Sequence, residues 1–131
     1  EEIALGIRDI GFEKRLAARF VMTEVYCANS AAAVAAAEKF EYKTMKEWIS
    51  GHDNRVRGRN PEDHANHWGL DGVIINYEDY FIDPRNKVQL FQPGDPKARG
   101  LSRDVAATTI NCRCTIALSG KRGKDGKLIK K

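Results

Sequence analysis

Residues 109–116 hold two of the three cysteines of this chain, Cys112 and Cys114, with Arg113 between them. In an extended strand, side chains two residues apart point to the same face. We therefore predict that residues 109–118 form a strand in which both cysteines share one face and Arg113 lies on the other. Such a pair is part of an apolar core, half of a metal site, or the signature of a family.

The length of the chain, 131 residues, predicts one domain with its own core. No apolar run approaches the roughly 20 residues of a membrane span, so no membrane contact is expected. Three cysteines do not make a disulfide framework, and their odd number favours a reducing compartment. The chain begins with Glu1 rather than methionine, and we expect it to be a piece of a longer protein.

Two helices are predicted at the start. Over residues 9–28, an apolar stripe recurs at helical spacing and comprises Phe12, Leu16, Phe20, Val21 and Val25. Asn29 and Ser30 are good N-cap residues for a second helix, which the alanine-rich run 31–37 favours. Its small side chains would allow close packing on a neighbouring element.

Short strands follow the helices. Near alternation of aromatic and β-preferring residues with other residues over 40–49 predicts a strand. The apolar run 73–75 predicts a buried strand, and residues 80–81 and 87–91 predict two further strands. A short helix is expected at 102–106. The predicted fold class is α+β, with N-terminal helices packed on a small, mostly antiparallel sheet of short strands with long loops.

Basic residues are concentrated in the second half of the chain. Ten Lys, Arg or His lie between Arg55 and Arg103, and six Lys or Arg between Lys121 and Lys131. We predict a domain over residues 1–120 and a basic, flexible tail over residues 121–131. Non-specific contact with DNA needs only such charge, so composition leaves it open.

Four sequence blocks, in this order, resemble the phage Mu F-like family of head-morphogenesis or minor capsid proteins from tailed phages and prophages. The blocks are Trp48-Ile49-Ser50 with Asp53, Arg55 and Arg57; His67 with Leu70-Asp71-Gly72; Phe81 with Pro93-Gly94-Asp95-Pro96; and Asn111-Cys112-Arg113-Cys114. The resemblance covers roughly residues 15–118. It implies a structural protein that contacts the portal, scaffold or capsid proteins, located in the virion and, during assembly, in the host cytoplasm.

The chain departs from the family pattern between the arginines and the histidine. Residues 58–66 lengthen that gap, and His64 competes with His67 for the position; we favour His67 because it precedes the Leu-Asp-Gly turn. Other members carry a Cys-x-x-Cys at this site, an arrangement suggestive of zinc, and this chain lacks it.

A metal site is one interpretation of these residues. His67, Cys112 and Cys114 offer ligands that suit zinc, and His52, Asp53 or His64 could supply a fourth. Against it, structural zinc sites usually separate their cysteines by two residues rather than one. Buried free cysteines also serve as small apolar core residues. No cofactor is therefore required by the sequence, and zinc is the alternative.

Catalysis is another interpretation, as a nuclease-like toxin domain delivered with the virion. The acid–base and phosphate-stabilising set of a metal-independent ribonuclease would be Arg55, Arg57, His67, Asp71 and Arg113. We favour a non-enzymatic alternative, in which the arginines form ion pairs with carboxylates such as Glu24. In this interpretation a structural hub connects the loop region to the last strand. The hub comprises Asp53, Arg57, His67, Asp71, Cys112 and Cys114. The favoured function is head morphogenesis, with DNA packaging as its context.

Overall fold

The structure is a computed structural model that describes residues 11–53, 55–110 and 112–131. The predicted helix start at Asp9, and Asn111 of the last block, lie outside these residues. The described residues form two helices and five strands: α1 (Gly11–Glu38), β1 (Thr44–Ile49), β2 (Ile74–Asn76), β3 (Phe81–Ile82), β4 (Gln89–Leu90), α2 (Ser102–Thr109) and β5 (Thr115–Gly120). All strand pairs are antiparallel, so the predicted α+β class is confirmed.

The main sheet has three strands in the order β2-β1-β5, and β1 pairs with β5 along its whole length. A second, two-stranded sheet joins β3 to β4. The strand predicted at residues 73–75 is present as β2, and Val73 and Ile75 pack on the core, but the strand is not fully buried. β2 lies at the edge of the sheet, where it has a single neighbour, and Ile74 is exposed.

The N-terminal helices are one helix, because α1 continues through Asn29 and Ser30 without a break. The alanine-rich sequence after Ser30 favours helix, and packing on the sheet stabilises a continuous helix. The packed face is made of small residues: Ser30 and Ala37 are buried, and Ala33 and Val34 contact the core. The predicted role of small side chains in close packing therefore agrees with the structure.

The described residues of the predicted apolar stripe are not buried, and the side chain of Phe12 lies outside the described part. The exposed fractions of Phe20, Val21 and Val25 are 66%, 55% and 49%, whereas Ala33 and Val34, in the other half of α1, pack on the core. By length and composition, Lys14–Glu38 could cross a membrane, in contrast to the prediction that no span is long enough. One side of the second half of this helix packs on protein through Ser30 and Ala37.

The segment 121–131 is hydrogen-bonded to the domain, which corrects the prediction of a flexible tail. Backbone bonds join Lys43 to Ile129 and Lys131 to Glu41, and Arg122 pairs with Leu128. Lys131 Nζ also donates to the carbonyls of Ala37 and Glu38, both at 3.1 Å. A cation at a helix C-terminus satisfies carbonyls that have no partner within the helix. The favourable free energy of these hydrogen bonds opposes the conformational entropy that the chain loses when its terminus is ordered.

The core lies between α1, the main sheet and the β3–β4 hairpin. Its fully buried members are Trp48, Leu70, Phe81, Val88, Leu90, Cys112, Cys114 and Ile116. Alternation along β1 turns Thr44, Lys46 and Trp48 inward, so this strand places a lysine in the interior.

Lys46 has an unusual environment for a cation. Its Nζ donates to the Phe91 carbonyl at 2.7 Å and lies 3.4 Å from the centre of the Phe91 ring. Burial lowers the pKa of Lys46 to about 8, although Asp79, Asp95 and Glu78 act in the opposite direction. The unfolded chain, with a pKa near 10.5, therefore binds more protons than the folded chain between about pH 8 and 10.5.

Stability is expected to rise as pH increases through this window, because the cost of burying the ammonium group disappears once it is neutral. The gain attributable to Lys46 is at most about 3 kcal/mol. Urea unfolding at a series of pH values measures it, and Lys46→Met should remove that part of the slope. Identical slopes in the two proteins would contradict the assignment.

Candidate metal centre

The candidate site is formed by three buried side chains from two distant segments. His67 lies in the turn that precedes Leu70, whose backbone N–H donates to the His67 carbonyl at 3.1 Å. Cys112 and Cys114 lie between α2 and β5. His67 Nδ1 is 3.6 Å from the Sγ of each cysteine. Among the described residues, these are the three ligand atoms of His, Cys, Asp or Glu that lie within 4.8 Å of one another.

The local structure around the cysteines differs from the prediction. Thr109 ends α2 and β5 begins at Thr115, so Cys112 and Cys114 are not in a strand. α2 extends three residues past the predicted end at residue 106, and the alanines within Ser102–Thr109 favour helix. Both cysteines nevertheless face the interior, while Arg113 faces Asp53 on the other side.

The two thiols are electrostatically coupled. Hydrogen bonds from Cys114 and from His67 hold the pKa of Cys112 well below the ordinary thiol value. The same hydrogen bond to Cys112, together with burial, raises the pKa of Cys114. The contact between the two side chains therefore shifts the pKa values of Cys112 and Cys114 in opposite directions.

Trp48 supports the imidazole of His67. The two ring centres are 5.1 Å apart in an edge-on arrangement, and both side chains are buried. The other ring nitrogen, His67 Nε2, has no hydrogen-bond partner among the described residues. The orientation of the ring is thus set by packing on Trp48 and by the cysteines.

Two arginines fix the segments that carry the cysteines. Arg57 donates to the Ile110 carbonyl at the end of α2, and Arg113 forms an ion pair with Asp53. The hydrogen bond from Arg113 is the main cause of a lowered pKa of Asp53. Glu24, the carboxylate considered from sequence, is not the partner of Arg113.

Asp71 holds the same turn, 50–53, from another direction. Its carboxylate accepts the Ser50 backbone N–H at 2.9 Å and contacts His52 Nε2 at 2.8 Å. The Ser50 N–H is the main cause of the lowered pKa of Asp71. The residues considered as a hub therefore form two adjoining groups, one around the turn at 50–53 and one buried around His67.

The alternative metal ligands and catalytic residues are dispersed. His52 and Asp53 are bonded within the turn, and neither they nor His64 joins the three-ligand group. Arg57 and His64 line an open cleft between α1 and α2, whereas His67 is buried. Arg55 contributes its backbone N–H, which donates to Asp53. The catalytic set considered from sequence does not surround one cavity.

Sequence reasoning missed three residues near the site. Cys27, on α1, donates to the Gly94 carbonyl at 3.0 Å, and its pKa is raised by burial and by the charges of Glu24 and Cys112. Asp83 accepts backbone N–H groups beside His67, and Lys46 is buried in the same core. The turn-favouring sequence Asp-Pro-Arg-Asn, which begins at Asp83, could have indicated that this carboxylate accepts backbone N–H groups.

Comparison with known proteins gives two findings. The sequence model of a family described as "Phage Mu protein F like protein" matches residues 1–117. A protein of Bacillus subtilis (strain 168), named as the uncharacterized protein YqbB, is 26% identical over 118 residues. These residues are 89% of this chain and 35% of the relative, so the chain spans about a third of that protein. No solved structure matches this chain.

Proposed function

Because this chain belongs to the phage Mu protein F-like family, we propose that it is a domain of a minor head protein from a tailed phage or prophage. It acts through protein–protein contacts during procapsid assembly. The observation that supports this role is the exposed apolar surface on the first half of α1, which we call the α1 face. It comprises Leu16, Phe20, Val21 and Val25.

The α1 face has the character of an interface that lacks its partner. Apolar residues predominate over residues 16–25, where Arg19 and Glu24 are the charged residues, and Leu16, Phe20, Val21 and Val25 are exposed. Large exposed apolar patches on soluble proteins mark interaction sites. Lys14, Arg15 and Arg19 are exposed beside it, so the partner surface is an apolar groove bordered by carboxylates.

The partner is a portal, scaffold or capsid protein of the same phage. The α1 face is continuous with the part of α1 that packs on β5, so a partner bound there would extend the existing core. DNA contact through the basic loops stays a prediction. Two of the tail lysines, Lys121 and Lys131, are already engaged in hydrogen bonds within the domain.

We expect the double variant Phe20→Glu/Val25→Glu to lower incorporation into procapsids at least tenfold, because two carboxylates would have to be buried at the interface. The measurement is co-sedimentation of the chain with procapsids after co-expression with the portal, scaffold and capsid proteins. Thermal stability should change little, since both side chains are exposed in the domain.

A control is Ile82→Glu, which places one such carboxylate at an exposed apolar residue of β3. It should leave incorporation unchanged. Equal incorporation of the α1 double variant and the wild type would show that the α1 face is not the assembly interface. Binding of the wild type to lipid vesicles, but not to procapsid proteins, would contradict the proposal in favour of a membrane.

A further inference from the structure

The distances from His67 Nδ1 to the sulfurs of Cys112 and Cys114 match those of a tetrahedral zinc site. Zn–S bonds of about 2.3 Å and a Zn–N bond of about 2.05 Å place nitrogen and sulfur about 3.6 Å apart, and two sulfurs about 3.8 Å apart. The observed distance from His67 Nδ1 to each sulfur is 3.6 Å, and all three atoms lie within 4.8 Å. We propose that these three side chains bind one zinc ion.

Hydrogen bonding alone accounts poorly for this geometry. A single ring nitrogen has one proton or one lone pair in the plane of the ring, so Nδ1 makes one hydrogen bond of good geometry. Here it is equally distant from two sulfurs. A metal ion explains equal distances, because the nitrogen and both sulfurs then point at one central atom.

Charge is compatible with a cation in this position. His67, Cys112 and Cys114 are each at most 3% exposed, and an isolated buried charge is costly. Zinc with two thiolates and one neutral imidazole has no net charge, so the site can remain buried. Among the described residues, no other His, Cys, Asp or Glu joins the group, so these three side chains are the protein ligands of the proposed site.

The identity of the metal follows from the ligands. Thiolate and imidazole together suit zinc, whereas magnesium and calcium prefer oxygen. The ligands lie on irregular segments rather than on strands, and a metal ion would hold residue 67 beside residues 112–114. Zinc would therefore stabilise the junction between the loop region and β5, independently of any assembly role.

The test uses the 131-residue chain purified without chelator under reducing conditions. Elemental analysis should give about one zinc per chain, and a thiol-directed mercurial should release it into a chromophoric zinc indicator. Replacement by Co²⁺ should give the visible d–d bands of a tetrahedral site with near-ultraviolet thiolate-to-cobalt charge transfer. These measurements on the wild type do not depend on any variant folding.

Variants assign the ligands. Cys112→Ser, Cys114→Ser and His67→Asn should each lower bound zinc at least tenfold, and Cys27→Ser is the matched control that should retain it. Absence of zinc from the wild type, with no tetrahedral cobalt spectrum after refolding with Co²⁺, would overturn the proposal. So would full zinc occupancy in Cys112→Ser, or loss of zinc in Cys27→Ser.

Discussion

Trp48→Ala is expected to destabilise the domain by about 3–5 kcal/mol, the range for removing a buried aromatic side chain. Trp48 has no exposed surface, and its ring centre is 5.1 Å from those of both His67 and Phe81. The substitution therefore leaves a cavity where the main sheet, the β3–β4 hairpin and the candidate metal centre meet. Domains of this size are stable by only about 5–15 kcal/mol, so much of the total would be lost.

The chain offers its own control, because its other tryptophan is on the surface. Trp68 is 44% exposed and stacks with Arg59, whose guanidinium carbon is 5.1 Å from the ring centre. Trp68→Ala should cost about 1 kcal/mol or less. Urea unfolding followed by circular dichroism gives both values. Similar losses for the two variants would mean that Trp48 does not hold the core together.

Asp83→Ala is expected to be the second severe change, at about 3–4 kcal/mol. The carboxylate is buried and accepts backbone N–H groups from Asn66 at 2.9 Å, Arg85 at 2.8 Å and Asn86 at 3.3 Å. Alanine would leave these three part-buried donors without their acceptor. The effect should reach the candidate site, because Asn66 precedes His67.

Hydrogen exchange tests the mechanism residue by residue. In Asp83→Ala, the amides of Asn66, Arg85 and Asn86 should lose protection beyond the general loss of stability. Asp79→Ala is the matched control, since Asp79 is exposed and accepts a single side-chain bond, from Asn76 at 3.3 Å. It should cost less than about 0.5 kcal/mol. Unchanged protection of the three amides in Asp83→Ala would refute the bonding scheme.

Features that depend on local sequence could be predicted. Alternation identified β1, alanine content identified helix in residues 31–37, and the α+β order followed from the sequence of periodicities. The cysteines were expected on one side of the chain with Arg113 on the other. The structure has that arrangement, but in an irregular segment rather than a strand.

Features that depend on contacts between residues distant in sequence could not be predicted. Sequence shows that Phe20 and Val25 are apolar, but not that their side chains are exposed. The sequence shows that Lys131 is charged, but not that its Nζ lies 3.1 Å from the Ala37 carbonyl near the end of α1. Periodicity records the preference of a residue for its own backbone conformation, whereas burial depends on what the rest of the chain places against it.

The sequence by itself determined the fold class, the central strand and the resemblance to a family of phage head proteins. The tertiary structure decided that α1 is continuous, that half of it is uncovered, and that His67, rather than His64, lies beside the cysteines. The physical reason is distance along the chain. His67 is separated from Cys112 by 45 positions and from Cys114 by 47. These side chains come together only when the core around Trp48 has formed, and no local conformational preference specifies that contact.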